Sequence, residues 1–407
     1  MRLIISFTAL FLSVILMQLS SGGVGPLDAL SGVQLGFTTT QIGLLGSAHF
    51  LGFFIGCWWA PRLMGSAGHS RSFAAFAAVG AIGLIAHMLV LDAYAWAVMR
   101  MATGLSVAGA YTVIEAWLQA KLTNDIRARA MGTYRVVDMS GSLVAQMLIA
   151  VLEPASYVSY NILALLICLA LLPLTLTRMP QPETPAAPRL KPMMALEKSP
   201  LAAAGVVVAA VSSASFRMVG PLYGRDVGLG ADQIAWFLSA FVLGGAVAQF
   251  PVGWLADKFD RRWVLIWLSA AAIASCALTV GAADRGTAAI MAAALVFGVT
   301  TFPIFSVASA HAHDFAKSRE RVELSAALMF LYALGAIAAP WLASFLIGAW
   351  GHAAMFAMIG LAHLLLAVIG FARMMTRPTP ERRTRYVYAP RTTFLIGRLL
   401  GRQRERK

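Results

Sequence analysis

The chain has 407 residues, of which 59% are hydrophobic and only 12% are charged, and its formal net charge is +14 at pH 7. Soluble globular domains typically have an apolar fraction of about 45–50%, so this composition excludes an ordinary soluble protein. The excess of apolar side chains instead indicates a chain that crosses a membrane many times.

Twelve apolar segments follow one another along the chain. About 20 apolar residues span a bilayer as a helix, and backbone hydrogen bonds must be satisfied within each segment in lipid. The sequence therefore predicts an all-α integral membrane protein with twelve transmembrane helices. The first six segments lie near residues 4–24, 41–61, 73–92, 95–120, 130–152 and 157–177. The last six lie near residues 201–223, 233–255, 263–283, 287–312, 322–348 and 352–374.

Lysine and arginine are distributed unevenly between the loops. Alternate loops, starting from the N-terminus, hold 16 of the 32 basic residues, and the segment from Arg373 onward holds 11 more. The loops on the opposite side hold only Arg225 and Arg285. Because basic loops remain in the cytoplasm, both termini are predicted to be cytoplasmic and the membrane to be a bacterial inner membrane. This distribution explains the positive charge, and no nucleic-acid partner is predicted.

A proline-rich stretch divides the chain. Residues 179–200 are neither apolar nor periodic, and their composition predicts an extended cytoplasmic linker. The linker separates an N-terminal six-helix bundle, residues 1–178, from a C-terminal six-helix bundle, residues 201–374. Residues 375–407 are predicted to be a basic cytoplasmic tail, either an amphipathic helix on an anionic lipid surface or a disordered segment.

The two halves resemble each other, which predicts two pseudo-symmetric bundles. The tetrapeptide Val-Gly-Pro-Leu at residues 24–27 recurs at residues 219–222. A repeat of this size implies two homologous bundles with a solute site between them. A second match pairs Leu35-Gly36 and Gln41 with Val227-Gly228 and Gln233.

The most specific motif follows the eighth segment, where residues 253–262 read GWLADKFDRR. Glycine permits close helix approach, an acidic residue can cap a helix N-terminus, and a basic cluster suits a cytoplasmic loop. This signature loop resembles the G-x-L-A-D-R/K-x-G-R-R loop of the major facilitator superfamily, with Asp260 where glycine is usual. The resemblance implies a role in conformational gating for Gly253, Asp257, Lys258, Arg261 and Arg262.

A finer resemblance points to the YcaD-like branch of that superfamily. It rests on residues 114–118 (IEAWL), 124–129 (NDIRAR) and 302–306 (FPIFS), and on His311 followed by Asp314. It implies a secondary transporter that works by alternating access, and no phosphate-cradling loop for ATP is found. The overall pattern is similar to RfnT-type riboflavin transporters, a subgroup of the branch, so riboflavin is the favoured solute.

Charged side chains within the apolar segments form the candidate solute site. Charge at bilayer depth costs at least about 2.5–3.5 kcal/mol, so such residues face a bundle interior or a watery cavity. Glu115 and Arg135 flank a short polar loop at equal spacing, which predicts a pair at similar depth, with Glu115 either binding a proton or forming a structural ion pair. Asp138 shares a helical face with Arg135, and Gln146 continues that face. Tyr111 lies one turn before Glu115.

The second half supplies further candidates. Arg217 lies in the middle of the seventh segment, where it is predicted to pair across a cavity or to meet an anionic or carbonyl-bearing solute. Phe216 beside it offers an aromatic face to a planar solute. His311 falls at the position of the repeat that corresponds to Glu115, and it is interpreted either as a proton-coupling group or as a satisfied buried histidine.

Two rival functions stay open at this level. The first is proton-coupled efflux of drugs or metabolites. The second is a non-transporting membrane sensor or assembly factor whose basic tail docks a partner. No catalytic triad or metal-ligand cluster is found in the sequence, so no enzyme activity, cofactor or metal site is predicted. The predicted partners are a small organic solute, membrane lipid and coupling protons, and the protein is predicted to be a monomer.

Overall fold

The computed structural model describes residues 2–122, 126–176, 189–376, 383–389 and 391–394. Within these ranges the secondary structure is entirely helical apart from turns and loops, as the sequence predicts. Two compact units are present, one formed by Met1–Pro188 with Arg391–Lys407 and the other by Arg189–Pro390. The described residues 391–394 therefore belong to the N-terminal unit by their contacts.

The helices are named in chain order. Those of the first unit are α1 (Arg2–Gln34), α2 (Thr39–Ala67), α3 (His69–Ala86), α4 (Ala93–Lys121), α5 (Arg127–Met147), α6 (Tyr157–Leu169) and α7 (Leu171–Thr175). Those of the second are α8 (Pro192–Lys198), α9 (Pro200–Asp226), α10 (Ala231–Lys258), α11 (Arg261–Gly281), α12 (Thr287–Thr301), α13 (Ile304–His313), α14 (Arg321–Trp350) and α15 (Ala353–Thr376).

Eleven helical segments of the described chain are long and apolar enough to cross a membrane, α6 with α7 and α12 with α13 each counting as one. The remaining predicted span is α5, a helix of 21 residues. Its length suffices for a crossing, but Arg129, Arg135 and Asp138 lower its hydropathy. The short α8 forms within the stretch predicted to be an extended linker.

The internal repeat has a structural cause at two helix ends. Gly36 follows α1 with a φ of 78°, and Gly228 follows α9 with a φ of 83°. A residue in this left-handed region is usually glycine, because other side chains are strained there. The recurring glycine in the sequence match is thus the residue that ends the first long helix of each unit.

The glutamine of the same match caps the next helix. Gln41 Oε1 accepts a hydrogen bond from the backbone N–H of Thr38 at 2.9 Å. Gln233 Oε1 accepts the equivalent bond from the N–H of Gly230 at 3.0 Å. Glutamine three residues after a cap position satisfies a donor that the helix leaves unpaired. The repeat detected in the sequence therefore encodes the same turn in both units.

A second repeated feature is close helix packing through glycine. A Cβ atom at Gly104 of α4 would lie 1.9 Å from the carbonyl oxygen of His49 on α2. In the other unit, a Cβ atom at Gly298 of α12 would lie 2.1 Å from the carbonyl oxygen of Phe241 on α10. Only glycine permits backbones to approach so closely, as is common between membrane helices.

An aromatic core fills the second unit, with Phe216 at its centre. The Phe216 ring lies 4.4 Å from that of Phe241, 4.9 Å from that of Phe237 and 5.1 Å from that of Phe297, measured between centroids. Its side chain has no exposed surface. Such clusters stabilise a core through area burial and edge or offset contacts. Phe216 thus packs at the centre of this cluster, and its predicted contact with a solute stays a prediction.

Candidate functional site

Glu115 of α4 is buried in the first unit, with 1% of its surface exposed. Tyr134 of α5 donates its hydroxyl to Glu115 Oε1 at 3.3 Å. The hydroxyl of Thr392 donates to the same oxygen, and the hydroxyl of Thr393 donates to Oε2. In the ranges that the structure describes, none of the ion pairs involves Glu115. Its carboxylate is therefore satisfied by hydroxyl groups.

The segment that brings these threonines to Glu115 is Arg391–Phe394, called here the terminal strap. The strap packs on α2 as well. The Phe394 ring lies 5.9 Å from that of Phe54, edge to face, and Cys57 Sγ lies 4.0 Å from the carbonyl oxygen of Thr392. These four residues and residues 383–389 come from the predicted basic tail, and none of them is helical. Residues 377–382, 390 and 395–407, the remainder of the proposed amphipathic helix, lie outside the described residues.

Asp138 of α5 forms a second polar centre in the first unit. Its Oδ1 accepts hydrogen bonds from Gln18 Nε2 at 2.6 Å and from the Tyr111 hydroxyl at 2.8 Å. Arg135, one turn earlier, is half-buried. Gln146 Nε2 donates to the carbonyl oxygen of Gly22 at 3.3 Å. Asp138 and Tyr111, two of the predicted site residues, are thus in direct contact.

A third centre was not predicted, and it is built around Asp28 of α1. Arg100 Nε lies 3.0 Å from Asp28 Oδ2, and both side chains are at least 97% buried. The Tyr160 hydroxyl donates to Asp28 Oδ1 at 2.8 Å. His87 Nε2 lies 3.8 Å from the same oxygen. A buried charge persists only when paired and hydrogen-bonded, and Asp28 meets both conditions.

The residues around Asp28 are held by their own contacts. His87 Nδ1 lies 2.6 Å from the carbonyl oxygen of Gly83, and the His87 ring stacks on that of Tyr160 at 5.0 Å. Trp96 Nε1 donates to the carbonyl oxygen of His87 at 2.7 Å. The sequence feature that points to this centre is Asp28, an acidic residue within α1. The apolar segment is predicted to end near residue 24, but α1 continues to Gln34.

Arg217 and His311, the predicted site residues of the second unit, lie in different surroundings from each other. Arg217 is half-buried on α9, one residue after the core residue Phe216. His311 of α13 is 4% exposed, and its ring meets that of Phe315 edge to face at 5.2 Å. Together with Ser199 and Arg262, His311 lines a cavity of only about 10 Å³. That volume holds one water molecule, so this cavity is too small for an organic solute.

The signature loop of residues 253–262 surrounds Arg261, which is 1% exposed. Arg261 Nη1 donates to Asp314 Oδ1 at 2.6 Å and to the carbonyl oxygen of Ala310 at 2.9 Å. Arg261 Nη2 donates to the carbonyl oxygen of Thr384 and to Asp257 Oδ1, the latter at 3.3 Å. Burial raises the pKa of the Asp314 carboxyl, and the neighbouring Arg261 guanidinium opposes that rise. Arg261 therefore connects α10, α13 and the segment 383–389.

Other residues of the loop have separate partners. Asp257 Oδ1 also accepts the backbone N–H of Tyr386 at 2.6 Å, and a Cβ atom at Gly253 would lie 2.6 Å from the Tyr386 ring. Asp260, the departure from the family pattern, caps α11 through the N–H of Arg262 at 3.0 Å and pairs with its guanidinium at 2.7 Å. The carboxylate thus supplies a helix cap that glycine lacks.

Lys258 of the signature loop points its ammonium at aromatic rings. Its Nζ lies 4.7 Å from the centroid of the Trp254 ring and 5.5 Å from that of Phe259. Cation–π contacts of this length are attractive.

Among the described residues, no group of three or more His, Cys, Asp or Glu side chains is arranged to hold a metal ion.

These features define a multi-pass helical membrane protein in which two units repeat the same turns and the same glycine-mediated helix contacts. Buried carboxylates lie within its helices, as in proteins that move solutes or ions. The family follows from comparison with known proteins: residues 201–403 match the family model of the Major Facilitator Superfamily. This match covers the C-terminal half of the chain, agrees with the resemblance seen in the signature loop and indicates a transporter of that superfamily.

Relatives and solved structures agree with this assignment. The uncharacterised MFS-type transporter YcaD of Salmonella typhi is 25% identical over 379 residues, covering 91% of this chain and 96% of its own. The crystal structure of the nucleoside transporter NupG superposes with a TM-score of 0.75 at 16% identity, covering 91% of this chain and 98% of NupG. A bacterial homologue of the lysosomal transporter Spinster gives 0.76 at 14% identity, covering 91% of this chain and 97% of that protein.

Proposed function

We propose that the protein is a secondary active transporter of the bacterial inner membrane that takes up a small, hydroxyl-bearing organic solute by alternating access, and that riboflavin is this solute. The match to the superfamily and the similarity to MFS-type transporters support the transporter class. The observation that carries the solute class is the carboxylate of Glu115, which is buried yet bonded only to hydroxyl donors among the described residues. The ribityl chain of riboflavin carries hydroxyl groups of the same kind.

Glu115 is also the group that we propose to couple transport to protons. A buried carboxylate without a cation is destabilised in its charged form, so it takes up a proton readily when its donors leave. Asp28, in contrast, has a cation beside it, the guanidinium of Arg100 at 3.0 Å. Asp138 lies on the neighbouring helix and keeps its own donors, Gln18 and Tyr111. Glu115 receives two of its donors from a terminal segment. It is therefore the acid best suited to exchange hydrogen-bond partners during the transport cycle.

Uptake of labelled riboflavin by a flavin-auxotrophic cell tests this proposal. We expect uptake above the empty vector, and we expect a protonophore to reduce it. Glu115→Gln should lower uptake by about tenfold or more, since hydrogen bonds to a charged group are worth about 1.5–3 kcal/mol. Glu153→Gln is the matched control, because Glu153 is an exposed carboxylate of the same unit, and its uptake should equal that of the unaltered chain.

The outcomes separate the rivals. Absence of uptake above the empty vector overturns riboflavin as the solute. Loss of labelled solute from preloaded cells, faster than from cells with an empty vector, favours proton-coupled efflux. A chain in which Glu115→Gln changes neither uptake nor efflux, while deletion of the tail impairs growth, favours the non-transporting sensor.

A further inference from the structure

Three of the four residues of the terminal strap, Arg391–Phe394, are buried, although the strap follows a polar, basic segment. Thr393 has no exposed surface, Phe394 is 3% exposed and Thr392 is 8% exposed. By its contacts the strap belongs to the first unit. The 202 residues that precede it, Arg189–Pro390, belong to the second unit. A surface tail has no reason to bury two threonines and a phenylalanine, so the position of the strap requires an explanation.

The contacts of the strap concentrate on one functional group. Each oxygen of the Glu115 carboxylate receives a hydroxyl from a different threonine, Thr392 on Oε1 and Thr393 on Oε2. The Phe394 ring covers the adjacent surface of α2 at Phe54, 5.9 Å between centroids. The arrangement is two neighbouring hydroxyl donors on one carboxylate, flanked by an aromatic contact.

The threonine hydroxyls and the Glu115 carboxylate satisfy each other's hydrogen-bonding capacity. A buried hydroxyl or carboxylate without a hydrogen-bond partner is strongly unfavourable in an apolar interior. When the strap withdraws, Glu115 retains the 3.3 Å bond from Tyr134 and must replace the two threonine donors by water, by a proton or by donors of another molecule. A molecule with two adjacent hydroxyl groups replaces them group for group.

We propose that the terminal strap is an internal ligand of Glu115, which competes with the transported solute for this carboxylate. The solute then presents adjacent hydroxyl groups, as in a polyol chain or a sugar, to the two carboxylate oxygens. The strap restrains transport until solute displaces it. This proposal rests on the proposed function for the identity of the competitor, whereas occupation of Glu115 by the strap stands by itself.

Cys57 provides a direct readout of the strap. Its Sγ lies 4.0 Å from the carbonyl oxygen of Thr392, and its residue surface is 2% exposed. In a variant with Cys168→Ser and Cys276→Ser, Cys57 is the one remaining thiol of the chain. Its rate of alkylation by N-ethylmaleimide therefore reports whether the strap is in place, and this measurement needs no transport activity.

The test compares the single-cysteine chain with its Thr392→Val, Thr393→Val derivative. Valine keeps the shape of threonine but removes the hydroxyl, so the strap loses both bonds to Glu115 and its release becomes more frequent by about tenfold or more. We expect Cys57 to be alkylated faster by that factor, and deletion of residues 391–407 to have at least the same effect. Thr376→Val, an exposed threonine at the end of α15, is the control and should leave the rate unchanged.

Riboflavin uptake supplies the second arm. Removal of the threonine hydroxyls should lower the apparent KM for uptake, because the solute no longer competes with the strap. Unchanged alkylation in both the valine variant and the deletion overturns the proposal. Faster alkylation with no riboflavin uptake in any variant, including the unaltered chain, leaves the strap as the ligand of Glu115 and overturns only riboflavin as its competitor.

Discussion

Arg100 and Asp28 form a buried ion pair in the first unit, with Nε 3.0 Å from Oδ2 and 1% and 3% of their side-chain surfaces exposed. Two buried charges repay their desolvation only when the geometry is good and the remaining lone pairs are hydrogen-bonded. Here Tyr160 satisfies the second carboxylate oxygen at 2.8 Å. The pair joins α1 to α4, and its loss should therefore be felt as lost stability of the unit.

Asp28→Asn is expected to lower the free energy of unfolding by about 3–5 kcal/mol, because it leaves the Arg100 charge buried and unpaired. Thermal unfolding of the purified protein in detergent measures this loss. Asp92→Asn is the control, since Asp92 is an exposed cap that accepts the N–H of Ala95 at 2.8 Å, and asparagine caps helices about equally well. Adding Arg100→Met to Asp28→Asn should recover part of the loss. Equal unfolding temperatures for the two single variants would contradict the prediction.

The glycine contact between α2 and α4 makes a second prediction. Gly104→Ala places a Cβ atom 1.9 Å from the carbonyl oxygen of His49, so the two helices must separate along their contact. We expect this single methyl group to destabilise the protein by about 1–3 kcal/mol, the cost of overpacking. Gly360→Ala in α15 meets nothing within 4 Å and should be neutral or stabilising through helix propensity. Thermal unfolding in detergent distinguishes them, and equal destabilisation by both would contradict the packing argument.

The helices were predictable because their signal is local. A run of apolar residues long enough to cross a membrane fixes a helix without reference to the rest of the chain. The polar contacts were harder to predict. Equal spacing from a loop gives the depth of Glu115 and Arg135 but not their direction, since each residue advances a helix by about 100°. In the structure Tyr134, one position earlier, donates to Glu115 at 3.3 Å.

Two further features lay outside local patterns. The apolar segment predicted for residues 4–24 does not include Asp28, whereas α1 continues to Gln34 and contains it. The contact of Glu115 with Thr393 joins residues separated by 278 positions. Basic residues interleaved with apolar ones indicate a membrane-surface helix, and nothing in that composition specifies a distant buried carboxylate. The sequence therefore indicates Glu115 as a candidate site residue but does not indicate its hydroxyl donors.

Phe216 and Tyr111 were both predicted to contact solute, and the structure separates them. Phe216→Ala should destabilise the protein by about 3–5 kcal/mol, because it leaves a cavity in the aromatic core. Tyr111→Phe keeps the ring and removes only the hydroxyl that donates to Asp138 at 2.8 Å, so its cost in stability should be about 1 kcal/mol. Measured side by side, riboflavin uptake per folded molecule should fall more for Tyr111→Phe. A larger fall for Phe216→Ala would return Phe216 to the solute site.

Arg261 and Arg262 are adjacent in the signature loop, and their substitution should have unequal effects. Arg261→Gln removes the 2.6 Å partner of Asp314, whose side chain is 1% exposed, and breaking such a buried pair costs about 3–5 kcal/mol. Arg262→Gln loses a pair with the more exposed Asp260 and should cost less.

The pH dependence of Arg261→Gln identifies the mechanism. Burial already raises the pKa of Asp314, and Arg261 opposes that rise, so the pKa rises further when the arginine is lost. An acid whose pKa is raised in the folded state binds more protons when the protein is folded than when it is unfolded. The contribution of Asp314 to stability therefore falls as the pH increases above the pKa that Asp314 has in the unfolded chain. Relative to the unaltered chain, Arg261→Gln should therefore regain stability as the pH is lowered from 7 toward about 5, whereas Arg262→Gln should not. Unfolding temperatures measured across this range test the difference, and parallel curves for the two variants would show that Asp314 is not the group left unpaired.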